Sequence, residues 1–341
     1  MRKRITCVPA PRPEGPRTAE DLTGEFGAFI AIPEGGEAER CYYPLRVDVY
    51  GRGCPHDCVY CYAKSLLEFR KYWNPADPAM ADMKKVRRTF LAHFESNVRG
   101  PWSEYFDRRW PIRIGGMTDC FGANEVGGRA ALELLRILEE YNYPYLIVTK
   151  GTTLLEPAYL DRLNPDLAAV QVTITTLADT YKDLEPGAPP PESRLRVIRA
   201  LAEAGIYAAG RISPLIPQGF YTEELPAAIC DAGARGVIAE FLRVPSGVSS
   251  EIAKLIDLAD YTETDGATRH LPLQTKRAIL DRMKSVTDAA GAELSVCEDL
   301  HYQELAPYRA DPEDCCNIKR HVAGYAPDSR RPAIQRTASA R

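Results

Sequence analysis

The chain has 341 residues, of which 45% are apolar and 26% charged, and a formal net charge of −4. This composition is that of a globular protein, and the charge argues against a surface that binds polyanions over its whole extent. No run of about 18 apolar residues offers a membrane span. The N-terminal Met1-Arg2-Lys3-Arg4-Ile5-Thr6-Cys7 lacks the apolar core of a signal peptide, so a cytoplasmic location is expected. Ten cysteines in such a chain point to metal or redox chemistry before disulfides.

In chain order, residues 1–40 are expected to form an N-terminal arm. Its Pro-rich stretch 9–18 suits neither a helix nor a central strand. Strand-like and helix-like segments then alternate through a core at 41–290. Strands are expected at Arg46–Tyr50, Pro111–Thr118, Tyr145–Thr149, Ala169–Thr175, Ile206–Ile212 and Gly236–Leu242. Helices are expected at Cys61–Tyr72, Arg129–Glu140, Pro157–Leu163, Glu192–Ala204, Glu223–Ala232 and Thr275–Ala290, with Gly205 stopping the fourth. Six strand–helix units in strict alternation favour an α/β fold with a parallel sheet and right-handed crossovers. A curled sheet or barrel and an open doubly wound sheet both fit that pattern. A Cys-containing segment at 291–323 and a flexible tail at 324–341 complete the chain.

The central motif is Gly53-Cys54-Pro55-His56-Asp57-Cys58-Val59-Tyr60-Cys61-Tyr62, immediately after the first strand. Thiolates spaced C-x3-C-x2-C can ligate three irons of a cubane cluster, leaving the fourth iron without a protein ligand. Zinc is the alternative, with His56 as a fourth ligand closing the site. Cys297, Cys315 and Cys316 could ligate a second iron–sulfur cluster completed by His301 or another cysteine. A C-terminal segment packed over the barrel mouth is the plainer account of them. Cys7, Cys41 and Cys230 carry no such signal. A structural zinc protein or an iron–sulfur electron carrier is the non-enzymatic alternative.

From Phe69 to Arg113 there are ten Lys/Arg against five Asp/Glu, interleaved with nine aromatic residues that include Trp73, Trp102 and Trp110. Such a mixture can track a phosphate backbone and stack on bases. It equally describes a surface helix whose aromatics pack on the domain.

The C-x3-C-x2-C motif resembles that of the radical S-adenosylmethionine (SAM) superfamily, and further stretches resemble its spore photoproduct lyase-like group. Tyr60 and Tyr62 bracket the third cysteine as in that group. Thr118-Asp119 with Glu125 resembles its T-D-x5-E stretch, Thr149-Lys150 its T-K pair, and Val172-Thr173-Ile174-Thr175-Thr176 its fourth strand. Glu185-Pro186-Gly187-Ala188-Pro189 with Arg194-Leu195 resembles E-P-x-A-P…R-L, and Arg211-Ile212-Ser213-Pro214 its fifth strand. These matches span roughly residues 41–242.

The resemblance implies a partial (β/α)6 TIM-type barrel with a C-terminal extension over its mouth. It implies a [4Fe–4S] cluster on Cys54, Cys58 and Cys61, and SAM bound through Thr118, Asp119, Lys150, Thr173, Thr175, Glu185 and Arg211. Lys150 is the expected partner of the SAM carboxylate, since a carboxylate there calls for a cation. The superfamily's G-G-E stretch is not intact, because Gly115-Gly116 is followed by Met117-Thr118-Asp119. Tyr60, Tyr62 and Cys120 are the expected catalytic residues, Cys120 as a hydrogen-atom donor or, alternatively, a small buried apolar side chain.

The group's chemistry implies a lyase or isomerase acting on a thymine-derived base in DNA, by lesion reversal or by rearrangement of a hypermodified thymine as in phage DNA. An electron donor such as flavodoxin or ferredoxin would reduce the cluster. A base in duplex DNA would have to be extruded into the pocket. The competing class is a peptide or small-molecule substrate, for which the C-terminal cysteines would hold an auxiliary cluster.

Overall fold

A computed structural model of the protein describes residues 41–99, 103–246 and 249–325. The expected N-terminal arm, Cys7, Trp102 and the tail beyond Tyr325 lie outside the described residues.

Seven strands form one parallel sheet: β1 (Arg46–Val47), β2 (Ile112–Ile114), β3 (Tyr145–Thr149), β4 (Ala168–Thr173), β5 (Tyr207–Leu215), β6 (Gly236–Phe241) and, after a two-stranded hairpin, β9 (Glu293–Val296). The hairpin strands are β7 (Glu263–Asp265) and β8 (Thr268–His270). The spatial order β1-β2-β3-β4-β5-β6-β9 follows the sequence, as right-handed β–α–β crossovers on one side require. β1 and β9 are not paired with each other, so the sheet is a partial barrel with a seam. The seventh strand comes from the segment expected to lie beyond the core, and it pairs with β6 from Gly236↔Glu293 to Ala239↔Val296.

The strand cores read as near-continuous apolar runs because helices cover one face and the barrel lumen occupies the other. Helix Ala130–Glu140 buries Ala131, Leu134, Leu135 and Leu138 as a stripe toward the sheet. Helix Pro191–Glu203 does the same with Val197, Ile198 and Leu201. Helix Leu273–Ala290 ends on Gly291, whose φ of +68° is the left-handed conformation that glycine adopts without a Cβ penalty. The expected helix at Cys61–Tyr72 is shorter, Tyr62–Phe69, and an additional one occupies Met83–Phe94.

Register fixes what faces inward, since directly paired residues share a face and so do residues two apart along a strand. Arg46 pairs with Arg113, Arg113 with Leu146, and Leu146 with Ala169. Gln171 and Thr173 continue that face along β4, and Thr173 pairs with Arg211. The lumen is therefore lined with polar side chains, while Val47, Ile114, Val170 and Val172 pack outward under the helices.

The C-terminal segment divides in two. Cys297, Glu298 and Tyr302 line the cavity beyond the strand ends. Residues 321–325 turn back under the opposite end of the barrel. There Tyr325 packs on Tyr43 and Trp110, Gly324 N donates to Asp166 O (2.6 Å), and His321 stacks on Tyr207 and pairs with Glu293. Every one of those partners stands just before or at the first residue of a strand.

Candidate active site

The three motif cysteines lie on the loop leaving β1, at the C-terminal rim where parallel strands place their reactive loops. All three are free thiols lining a cavity of about 490 Å³. Cys61 caps the helix that follows, its Sγ accepting from Lys64 N (3.4 Å), so the positive end of that helix points at the sulfur. The loop is fastened to the segment after β4: Val59 N donates to Leu184 O (2.9 Å) and Gly187 N to His56 O (3.1 Å). Gly187 is required by this contact, because a Cβ there would stand 1.9 Å from Pro55 O.

His56 does not serve as a metal ligand. Its Nε2 lies 2.8 Å from Asp119 Oδ2 and its Nδ1 3.4 Å from Gly187 O, so both ring nitrogens are engaged. Among the described residues no three His, Cys, Asp or Glu side chains converge on one metal position. A single zinc ion needs such convergence, whereas a cubane takes each sulfur on a different iron. Burial pushes Cys58 up to about 12, with Glu185 and Cys61 reinforcing it against Lys150. Burial likewise raises Cys54, with Asp119 and Cys58 adding to it. Such thiols keep their protons until a metal replaces them.

Asp119 braces the loop. Its oxygens accept from His56, from the Thr149 hydroxyl (2.8 Å), and from the N–H groups of Phe121 (2.9 Å), Lys150 (2.7 Å) and Gly151 (3.3 Å). Burial works against its charge, but His56 and these N–H groups hold the carboxyl well below the usual range. Asp119 lines the cavity, and both its oxygens are engaged with the protein. Thr118 is similarly committed, its hydroxyl donating to Tyr50 O.

Lys150 meets the expectation of a cation at the cavity wall. Its Nζ stands 3.8 Å from Glu185 Oε1 and 5.5 Å from the Tyr60 ring centre. Burial alone would lower the ammonium, yet Cys58 and Glu185 outweigh it and hold it above its ordinary value. Glu185 is fully buried, 2.5 Å from Arg194 Nη1, and accepts from the Tyr60 hydroxyl. It thus lies beneath the cavity surface, tying Tyr60 and Lys150 together. Tyr62 lines the cavity with its hydroxyl on Gly116 O (2.6 Å). Thr173 lines it too; Thr175 does not, and its buried hydroxyl has no partner.

Arg211, expected to contact SAM, is instead held by Gln171 Oε1 (3.1 Å), Glu240 and Cys297 Sγ (3.1 Å). Cys120 is fully buried, accepting from Val49 N (3.4 Å), and lies outside the cavity wall. Its expected role as hydrogen-atom donor is therefore replaced by the packing role. The thiols that do reach the cavity from the C-terminal segment are Cys297 and Cys315. A hydrogen bond from Cys315, opposed by burial and joined by Arg211, draws Cys297 well below an ordinary thiol, while Cys315 moves the other way. His301 is bound to Lys276 (3.2 Å) and Glu263, away from these sulfurs, so it does not complete a second cluster. Cys316 does not line the cavity, but its thiol meets that of Cys315, so the structure brings the three C-terminal cysteines together.

Asp48, Glu240, Arg46 and Arg113 were not anticipated. Asp48 Oδ1 accepts from the N–H groups of Gly116, Met117 and Thr118 (2.8, 2.9 and 3.0 Å), shaping the loop after β2 where G-G-E is interrupted. Their signal was the alternation Arg46-Val47-Asp48-Val49, whose polar face reads as solvent-facing in a sheet and turns out to face the lumen.

The basic, aromatic stretch is divided, with Phe69 and Phe94 exposed and Tyr72 and Trp73 half-buried. Phe90, Tyr105, Phe106 and Trp110 are buried, and Phe90 stacks among Phe94, Phe106, Tyr141 and Tyr143. Arg87 pairs with Glu133 and Glu140, and Arg99 with Asp107. Among the described residues no helix is long and apolar enough to cross a membrane.

The seamed parallel barrel carries its three motif cysteines on the loop leaving the first strand. Among solved structures it is similar to spore photoproduct lyase: one variant matches with a TM-score of 0.56 at 16% identity, covering 79% of this chain and 86% of that one. A second, described with bound AdoMet and dinucleoside spore photoproduct, matches with a TM-score of 0.54 at 15% identity, over 79% and 87% of the two chains. At such identity the likeness establishes the fold. Among curated proteins, uncharacterized protein Rv2578c of Mycobacterium tuberculosis is 31% identical over 205 residues, 57% of this chain and 58% of that protein. Uncharacterized protein ORF301 of Acidianus two-tailed virus is 24% identical over 184 residues, 51% and 56% of the two. The chain thus spans under three-fifths of the curated relatives it matches. No family model matches it.

Proposed function

We propose that the protein is a radical SAM enzyme, of lyase or isomerase type, acting on a thymine-derived base in DNA. The observation that carries the reading is the set of three free thiols on one rim loop sharing a cavity with Lys150. Cys54, Cys58 and Cys61 would hold the [4Fe–4S] cluster, and Lys150 would take the SAM carboxylate. Cluster and SAM, when bound, supply a 5′-deoxyadenosyl radical that abstracts a hydrogen atom from substrate.

The chain's own residues orient and shield. Asp119 and His56 fix the cysteine loop, Glu185 and Tyr60 hold Lys150 in place, and the buried walls keep water from the reacting centre. Cys315, which keeps its proton while Cys297 tends to lose its own, is the thiol that would return a hydrogen atom to the product. The thymine reading is supported by the fold shared with spore photoproduct lyase and by its photoproduct-bound structure. A peptide or small-molecule substrate is the second reading, favoured by the packing of Phe90, Tyr105, Phe106 and Trp110 into the domain.

Anaerobic incubation of the reconstituted protein with SAM, reductant and candidate DNA, followed by mass spectrometry of the nucleosides, tests both. Deoxyadenosine together with an altered base supports the first reading; deoxyadenosine with unaltered DNA moves the substrate to the second. Protein that binds zinc or no iron defeats the proposal.

A further inference from the structure

The cations of the lumen are unequally matched. Arg211 and Arg243 share Glu240, and Lys150 has Glu185. Arg46 and Arg113 differ. They are Cα partners on adjacent parallel strands, both line the cavity, and neither forms an ion pair with a carboxylate among the described residues. The Nε of each is buried without a hydrogen-bond partner, and Arg113 reaches only Cys41 Sγ, at 4.0 Å. Asp48, two residues from Arg46, has one oxygen occupied by three backbone N–H groups. Tyr62, whose hydroxyl is given to Gly116 O, is a polar neighbour of both; Asp48 acts electrostatically on Arg46, and Glu240, Arg211 and Cys297 on Arg113, without forming an ion pair with either.

Two guanidinium groups on directly paired strand positions repel each other. An anion between them would remove that repulsion and satisfy both. The same inner face carries two further unpartnered polar groups on fully buried residues, Gln171 Nε2 and Ser295 Oγ. At the cavity wall the two forked cations put donors in excess of acceptors, the complement of an oxyanion.

Resting on the radical SAM reading and deepening it, we propose that Arg46 and Arg113 form an oxyanion seat for the substrate. The substrate is then a molecule bearing a phosphate or a carboxylate that enters the lumen, and the seat orients it relative to the rim. A phosphate would come from a nucleotide unit and a carboxylate from a peptide or small acid.

The test is calorimetric titration of the full chain, purified anaerobically, with inorganic phosphate and with acetate at constant ionic strength. Saturable binding of at least one anion is expected. Arg46→Gln and Arg113→Gln should each weaken it by about tenfold or more, as loss of charge-assisted hydrogen bonds does, and Arg113→Lys should retain most of it. Preference for phosphate indicates a nucleotide substrate, and preference for acetate a carboxylate. Absence of saturable binding to either anion overturns the seat. So does undiminished binding by the Gln variants, with circular dichroism confirming their fold. Loss of the anion on saturation with SAM also overturns it, since the seat would then belong to the SAM carboxylate. The titration needs no turnover, so anion binding by protein lacking iron would sink the radical SAM reading and leave the seat standing.

Discussion

His56 Nε2 and Asp119 Oδ2 meet at 2.8 Å between the cysteine loop and the loop after β2, with both side chains buried. The pair joins the cysteine motif to the sheet. Asp119 is held below its ordinary range by His56 and backbone N–H groups despite burial. A carboxyl depressed on folding stabilises fully above its unfolded pKa, about 3.9 for Asp, and that contribution fades as pH falls through the lower folded value. Urea midpoints of the metal-free chain between pH 7 and pH 3 should therefore drop at the acid end. In Asp119→Asn the midpoint should already be low at pH 7 and the acid limb shallower. Parallel curves for the two proteins would contradict this.

Glu185 and Arg194 are both fully buried, so removing one charge strands the other. Glu185→Gln should cost about 3–5 kcal/mol of stability, the range for breaking a buried pair from one side. Chemical denaturation measures it, and a loss below about 1 kcal/mol would show the pair to be solvated.

Substituting any of Cys54, Cys58 or Cys61 by Ala should eliminate both bound iron and deoxyadenosine formation, whereas Lys150→Ala should keep the iron and weaken SAM binding. Iron assay and equilibrium dialysis of SAM separate the two effects. Normal SAM affinity in Lys150→Ala would remove that residue from the cofactor site.

Cys120 is buried outside the cavity and Cys315 lines it, so the proposed function makes Cys315 the hydrogen-atom donor. Cys120→Ala should cost about 1 kcal/mol, as for loss of a small buried group, and leave the product unchanged. Cys315→Ala should preserve deoxyadenosine formation and alter the fate of the substrate. Product analysis by mass spectrometry decides, and an altered product from Cys120→Ala with none from Cys315→Ala would reverse the assignment.

If DNA is the substrate, its affinity should fall steeply as salt rises. With the arginines of the 69–113 stretch partly paired, the slope should reflect only a few phosphate contacts. Binding independent of salt would place the anionic recognition elsewhere.

Much of this was legible in the sequence. Apolar runs such as Tyr145–Thr149 announced strands because both faces are covered, and Ala130–Glu140 carried a helical stripe. The cysteine spacing identified the loop that forms the rim. What escaped was set by long-range packing. β9 is too short to stand out beside a helix, and Cys120, at a strand end like its neighbours, gives no sign in its own segment that it turns into the core. The inward polar face of β1 looked solvated because alternation reports only that the two faces differ.

The seam between β1 and β9 is bridged at its base by residues 321–325, which touch Tyr43 on one side and Glu293 on the other. Circumference is consequently set there by side chains of an irregular segment, with no backbone ladder spanning the gap. Exchanges within that clasp can widen or narrow the interior while every strand keeps its register, so bore and scaffold are free to diverge independently between relatives.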